Sequence, residues 1–272
     1  MANDRQSYYD KYNQGDDSST FEKAIAIKKK QGLKMMVKGV TLYAINATVE
    51  WITYTFIRRY FLVHGRRFRY FLKRYNAINT ERCVELPIAM DFIFRNTGHG
   101  AAIHHQISFK NPPRILELGN TLSYYYEFEH VIIDKYEKQG GVMNIDIDDF
   151  ATGEKFDLII SISTVEHVGF DEPVKERGKS LRAIIKLSNM LKHDGKMLIT
   201  VPLGYNPEID KMVEDDLFPF TEKYYLKRVG FANTWRETTL DDALKYKYGS
   251  IIPHANSLAV LIYERSINGS AI

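Results

Sequence analysis

Apolar residues divide this chain into two styles of pattern. From Phe21 to about Tyr75 they recur at helical spacing: Leu42, Ile45, Val49, Ile52 and Phe56 share one face, with Asn46, Glu50 and Thr53 beside it. This predicts helix over that stretch, and a further short helix over residues 83–94 closed by Asn96-Thr97-Gly98. After Pro112-Pro113 the apolar positions become short and continuous. Residues 114–118, 131–134, 156–163 and 196–203 each read as a strand buried on both faces. Residues 180–191 read as a helix turning Leu181, Ile184, Ile185 and Leu187 inward. Residues 257–263 form one more strand, with residues 233–238 as a candidate partner. Buried strands separated by helices predict a doubly wound α/β domain with a parallel sheet.

Charge sharpens this division. Residues 22–76 hold 13 Lys/Arg against two acids, whereas the chain from residue 77 onward holds 22 Lys/Arg against 28 acids. The first twenty residues are polar and contain Asp4, Asp10, Asp16 and Asp17, without the apolar core of a secretory signal. The expected organisation is therefore a polar tail over 1–20, a basic aromatic helical extension over 21–80 and the α/β domain over 81–272. Residues 39–57 carry only Glu50 as a charge but are too rich in Thr, Asn and Tyr for a membrane span. Cys83 is the only cysteine, which excludes an internal disulfide and fits a reducing, cytoplasmic setting.

In a doubly wound sheet, ligands bind beyond the carboxyl ends of the strands. Glu117-Leu118-Gly119-Asn120-Thr121-Leu122-Ser123 closes one strand, and its glycine allows close backbone approach to a ligand. Asp134 closes the next, 15 residues beyond Gly119, where an acid can accept both ribose hydroxyls of an adenosine. Asp146 is placed to take an adenine amino group, with the Ile147 backbone N–H meeting a ring nitrogen. Ser161-Ile162-Ser163 closes a third strand and leads into Thr164-Val165-Glu166-His167-Val168-Gly169. Histidine is a natural general base near neutral pH, so His167 is a candidate general base, with shaping of the turn as the alternative role.

The order ILELGNTLS, VIIDKYEK, NIDIDDF, FDLIISISTVEHVG and LKHDGKMLITVPLG resembles class I methyltransferases that use S-adenosylmethionine. More narrowly, it resembles a branch associated with surface-glycan biosynthesis. That branch has an upstream ER-x-VE-x-P, here Glu81-Arg82-Cys83-Val84-Glu85-Leu86-Pro87, and later pairs met by Tyr248-Gly249 and Ala255-Asn256. The resemblance covers about residues 81–265. It implies a Rossmann-like sheet, mostly parallel with an antiparallel C-terminal strand, behind an N-terminal helical extension. By position it implies that Glu117, Gly119 and Asn120 line the methionine end of S-adenosylmethionine. Asp134 and Lys135 would hold the ribose and Asp146 and Ile147 the adenine. Ser161 and Ser163 would sit near the sulfur, and Glu166 and His167 would serve catalysis. The family's glycine triplet is reduced to Gly119, with Thr121 and Ser123 in the other places.

The implied acceptor is a sugar hydroxyl of a glycan or of its lipid-linked precursor. Two rivals remain: a degenerate methyltransferase fold acting as a binding subunit, and an NAD-dependent sugar oxidoreductase. The second lacks the G-x-G-x-x-G it needs, since no glycine follows Gly119 until Gly140. No RNA-binding module is visible, so no nucleic-acid partner is expected. The basic front leaves two outcomes open. It attaches peripherally to an anionic membrane on the inner face of the cell membrane, or it packs as a lid or homodimer interface. His99, His104 and His105 read as a surface loop and not as a metal site. Asp146, Asp148 and Asp149 read as a helix start, Asn111-Pro112-Pro113 as a loop into the sheet, and the Asn46-Ala47-Thr48 sequon as incidental.

Overall fold

The computed structural model describes residues 41, 48, 52, 60–71, 80–98, 106–229, 233–250 and 254–266, together with the backbone of 100–103. Contacts divide the chain into two units. One comprises residues 60–138 and 142–272; the other comprises 1–59 and 139–141, in which Thr41, Thr48 and Ile52 are helical. Most of the basic front, with His99, His104 and His105, lies outside the described residues.

Helix was expected as far as Tyr75, but Tyr60–Val63 (β1) and Arg66–Arg69 (β2) form an antiparallel hairpin. Its turn, His64-Gly65, has two positive φ values, +48° and +70°, the geometry that matches strand twist in tight hairpins. Phe61 and Val63 are buried while Tyr60 and Leu62 are exposed, a period of two that the surrounding arginines obscure. Phe61 stacks on Phe68 at 5.3 Å and on Tyr70 at 4.9 Å.

Helix α1 (Arg82–Asn96) ends as expected, with Gly98 at φ +62° beyond it. Pro87 lies inside α1 and has no N–H for the Cys83 carbonyl. The Phe71 N–H takes that carbonyl instead, at 3.0 Å, tying the chain after the hairpin to the first turn of α1. A small hairpin follows from Gly100–Ile103 (β3) and Gln106–Phe109 (β4).

The main sheet then builds through Ile115–Leu118 (β5), Val131–Ile133 (β6), Val142–Met143 (β7), Phe156–Ile162 (β8) and Leu191–Pro202 (β9). Helix α2 (Lys179–Asn189) crosses between β8 and β9, with Ala183, Ile184 and Leu187 buried and Leu181 and Ile185 packed at the core's margin. Helix α3 (Pro207–Glu214), Glu222–Val229 (β10), Thr234–Thr238 (β11), the short α4 (Leu240–Ala243) and Ser257–Glu264 (β12) complete the unit. The order across the sheet is β11-β10-β12-β9-β8-β5-β6-β7. Strands β5 to β9 run parallel, and β12 is antiparallel to both of its neighbours, β9 and β10. This is the expected Rossmann-like mixed sheet with an antiparallel C-terminal strand.

One pairing is corrected. Residues 233–238 do not pair with the C-terminal strand, because β10 occupies that edge of β12 and β11 pairs with β10. Chain direction across the sheet reverses between β5 and β8, so the crevice for a ligand opens beyond their carboxyl ends. The N-terminal end of β12 lies at the same end, because Leu258 is in register with Pro202 at the close of β9.

Candidate active site

The loop after β5 is held from within. Gly119 has φ +89°, and a Cβ there would stand 2.1 Å from Thr164 Oγ1, so both conformation and space demand glycine. Glu117 is fully buried. Its Oε1 accepts the backbone N–H groups of Thr121 and Leu122 at 2.8 Å each, and its Oε2 lies 2.8 Å from His130 Nε2. His130 in turn stacks on Phe128 at 4.2 Å. Asn120 and Ser123 are hydrogen-bonded across the one-turn helix Leu122–Tyr124. The Glu117 carboxylate thus holds the turn at Thr121 and Leu122.

Asp134 closes β6 and is half-buried. Its Oδ1 accepts from the Tyr136 and Glu137 backbones at 2.8 Å, and among the described residues no protein donor reaches Oδ2. Lys135, by contrast, is engaged elsewhere. It meets Asp146 at 2.8 Å and Glu172 at 2.5 Å, while Lys179, nearly buried, meets the same two carboxylates at 2.6 and 2.9 Å. Burial opposes ionisation of Asp146 and Glu172, but the lysine hydrogen bonds outweigh it and hold both below the usual carboxylate range. Those same bonds raise Lys135, and in Lys179 they overcome burial to do likewise. The second oxygen of Asp146 accepts the Asp148 N–H at 3.0 Å. Residues 147–149 form a turn and not the expected helix start, and Ile147 is buried in the core. Among the described residues no cluster of His, Cys, Asp and Glu is placed to hold a metal.

Beyond β8 and β9 the polar groups converge from distant segments. Ser163 has φ +41°, a strained value for a non-glycine residue, and is pinned by its N–H to the Thr200 carbonyl at 2.9 Å. Its hydroxyl donates to Glu85 Oε1 at 2.6 Å, Thr200 Oγ1 donates to the same oxygen at 2.7 Å, and Arg82 pairs with Oε2. Burial raises Glu85, against the opposing charge of Arg82. The Ala255 N–H reaches Glu81 at 3.4 Å, so the two motifs quoted around α1 and before β12 meet in space.

His167, half-exposed, sits in the short helix Val165–His167. Its Nδ1 pairs with Asp171, one turn on, and Tyr205 donates its hydroxyl to the same Asp171 oxygen at 2.5 Å. Burial disfavours the Asp171 anion, yet the bonds from Tyr205 and His167 more than compensate and hold its carboxyl low. The Tyr205 ring lies edge-on to His167 at 5.0 Å and to Tyr248 at 4.8 Å. Glu166 is the opposite case. It is fully buried, no other described residue hydrogen-bonds either oxygen, and His167 Nε2 stands 3.5 Å from Oε1. Burial pushes its carboxyl well up, against its own backbone N–H and aided by the charge of Glu85. Among the described residues five buried side-chain polar atoms lack a partner: Ser161 Oγ, both Glu166 oxygens, Asn256 Oδ1 and Ser257 Oγ. All five lie at this one end of the sheet.

The structure thus places Glu117, Gly119, Asn120, Asp134, Ser161, Ser163, Glu166 and His167 around the strand ends and commits Lys135 and Asp146 to an ion network. Sequence reasoning did not assign Glu172, Lys179, Asp171 or Tyr205, and it quoted Arg82 and Glu85 without a role. Asp171 carried a signal, four residues after a candidate base; the others depend on tertiary packing.

No family model and no curated protein matches the chain. Solved structures do share similarity with it. N-methyltransferase NodS from Bradyrhizobium japonicum WM9, in complex with S-adenosyl-L-homocysteine, is 12% identical, over 71% of this chain and 93% of that one, with TM-score 0.38. An rRNA methylase from Streptococcus thermophilus is 10% identical over 72% and 100%, with TM-score 0.39. The 1,6-didemethyltoxoflavin-N1-methyltransferase from Burkholderia thailandensis is 10% identical over 57% and 72%, with TM-score 0.36. At such values no residue role or substrate transfers to this chain, and the fold stands on the sheet order itself.

Proposed function

We propose that this chain is an S-adenosylmethionine-dependent methyltransferase acting on a hydroxyl, with a sugar of a glycan or its lipid-linked precursor as acceptor. The supporting observation is the cluster of unpartnered buried polar atoms at the carboxyl end of a Rossmann-like sheet, beside Gly119 and Asp134. Buried polar groups without partners are costly, and a bound ligand is the natural source of the missing hydrogen bonds. The donor fits the residues present. Asp134 is half-exposed and one of its carboxylate oxygens meets no donor among the described residues, as ribose hydroxyls require, and the Gly119 turn would hold the methionine end. When bound, S-adenosylmethionine supplies a methyl carbon made electrophilic by its sulfonium.

The chain's own residues do the rest. Asp171 at Nδ1 fixes the tautomer of His167 and leaves Nε2 to accept the proton of the acceptor hydroxyl. Tyr205 holds Asp171 in place. Calorimetry tests the reading: S-adenosylhomocysteine binds the wild type, and Asp134→Ala weakens binding by about 1–3 kcal/mol through lost ribose bonds. No binding at millimolar ligand contradicts it.

The peripheral membrane reading has one structural support. The outer face of the β1–β2 hairpin presents Tyr60 and Leu62 beside Arg67 and Arg69, aromatic, apolar and basic together. Among the described residues no helix is long and apolar enough to cross a membrane. Co-sedimentation with anionic vesicles is expected to fall with salt, and absence of binding at low salt removes this reading.

A further inference from the structure

We infer that Glu166 selects the acceptor, and that the acceptor it selects is a vicinal diol, one hydroxyl meeting His167 Nε2 and its neighbour meeting the Glu166 carboxyl. This rests on the methyltransferase reading of the site. Glu166 is fully buried, yet no other described residue hydrogen-bonds either oxygen and its one charged neighbour is His167, whereas the equally buried Glu85 receives Ser163, Thr200 and Arg82. The same segment that leaves Glu166 bare is otherwise well anchored: Asn206 Nδ2 donates to its backbone carbonyl at 2.7 Å. The missing partners therefore reflect the position of the side chain and not a loose local backbone.

His167 Nε2 lies 3.5 Å from Glu166 Oε1. Two hydrogen-bonding groups that close fit a ligand with two adjacent hydroxyls better than one with an isolated hydroxyl. Tyr205 and Tyr248, ring edge to ring face beside His167, offer apolar faces suited to the C–H surface of a sugar ring. A cationic ligand is the competing occupant. Burial and the nearby Glu85 hold Glu166 toward its neutral form, which both donates and accepts and so pairs with a hydroxyl. An ammonium needs the charged form, which this environment opposes.

The test titrates full-length protein, saturated with S-adenosylhomocysteine, with methyl glycosides of glucose, galactose, mannose and rhamnose, with their monodeoxy analogues, and with methylamine. At least one glycoside should bind, and removal of either hydroxyl of one adjacent pair should weaken it tenfold or more. Glu166→Met should lose at least tenfold in glycoside affinity with unchanged affinity for S-adenosylhomocysteine. Glu166→Gln, whose amide also donates and accepts, should stay within about threefold of wild type. The deoxy series on the wild type stands even if Glu166→Met does not fold. Glycoside binding that is indifferent to Glu166→Met or to every deoxygenation overturns the inference, as does binding of methylamine alone or of no glycoside. A wild type that fails to take S-adenosylhomocysteine overturns the methyltransferase reading instead.

Discussion

Two groups of polar side chains at the same end of the sheet stand in opposite states. In one, three carboxylates are spent on the protein: Glu117, on β5, straps its own loop, while Asp146 after β7 and Glu172 after β8 share Lys135 and Lys179. In the other, around the end of β8 and the start of β12, Ser161, Glu166, Asn256 and Ser257 carry buried atoms with no hydrogen-bond partner among the described residues. The first arrangement fixes a surface in advance of any ligand; the second is incomplete without one. A site that must place a donor and an acceptor together needs both kinds, because preorganised groups spend no binding energy on reorganisation while bare ones confer selectivity.

The largest effect that sharpens this contrast is structural. Lys179→Met removes a nearly buried ammonium from two carboxylates, and stability should fall by about 3 kcal/mol. That is the low end for breaking a buried ion pair, because Lys135 still neutralises part of the charge. Urea denaturation reads it, and a loss within about 0.5 kcal/mol of zero, the scatter of surface changes, would show that the network does not organise this end of the sheet. His167→Ala comes next. Once an acceptor is in hand, it should lower kcat about 100-fold with affinity for S-adenosylhomocysteine unchanged. A variant with wild-type kcat returns His167 to shaping the turn.

The smallest effect belongs to the incomplete region and depends on pH. A carboxyl raised in the folded state favours folding below its unfolded pKa, about 4.3, and that contribution is lost as pH rises through the folded value. Burial raises Glu166, so its ionisation works against the fold toward neutral and alkaline pH. Glu166→Gln should therefore gain in melting temperature over wild type as pH rises from 5 to 9, in roughly the range of a few degrees. A gap that shrinks with pH would mean that Glu166 is charged and satisfied in the fold.

The sequence revealed what local pattern controls. Strands β5, β6, β8, β9 and β12 were legible because strands buried on both faces read as unbroken apolar runs. Strand β10 was not, since Glu222, Lys223, Lys227 and Arg228 interrupt it. The β1–β2 hairpin was hidden by arginines on a strand whose buried partners are only Phe61, Val63 and Tyr70. At the site, Gly119 and Asp134 were legible from their places after apolar runs. The engagement of Asp146 was not, because Lys179 and Glu172 come to it from 33 and 26 residues away, and only the packing of α2 on the sheet brings them together.

The most direct measurement is a crystal structure of the protein grown with S-adenosylhomocysteine. The account predicts an adenosyl group beyond β5 and β6, with its ribose hydroxyls on the Asp134 carboxylate and its sulfur toward Ser161 and Ser163. Glu166 and His167 should adjoin that sulfur. An adenosyl group bound elsewhere on the chain, or crystals that take up none at saturating ligand, would contradict the account.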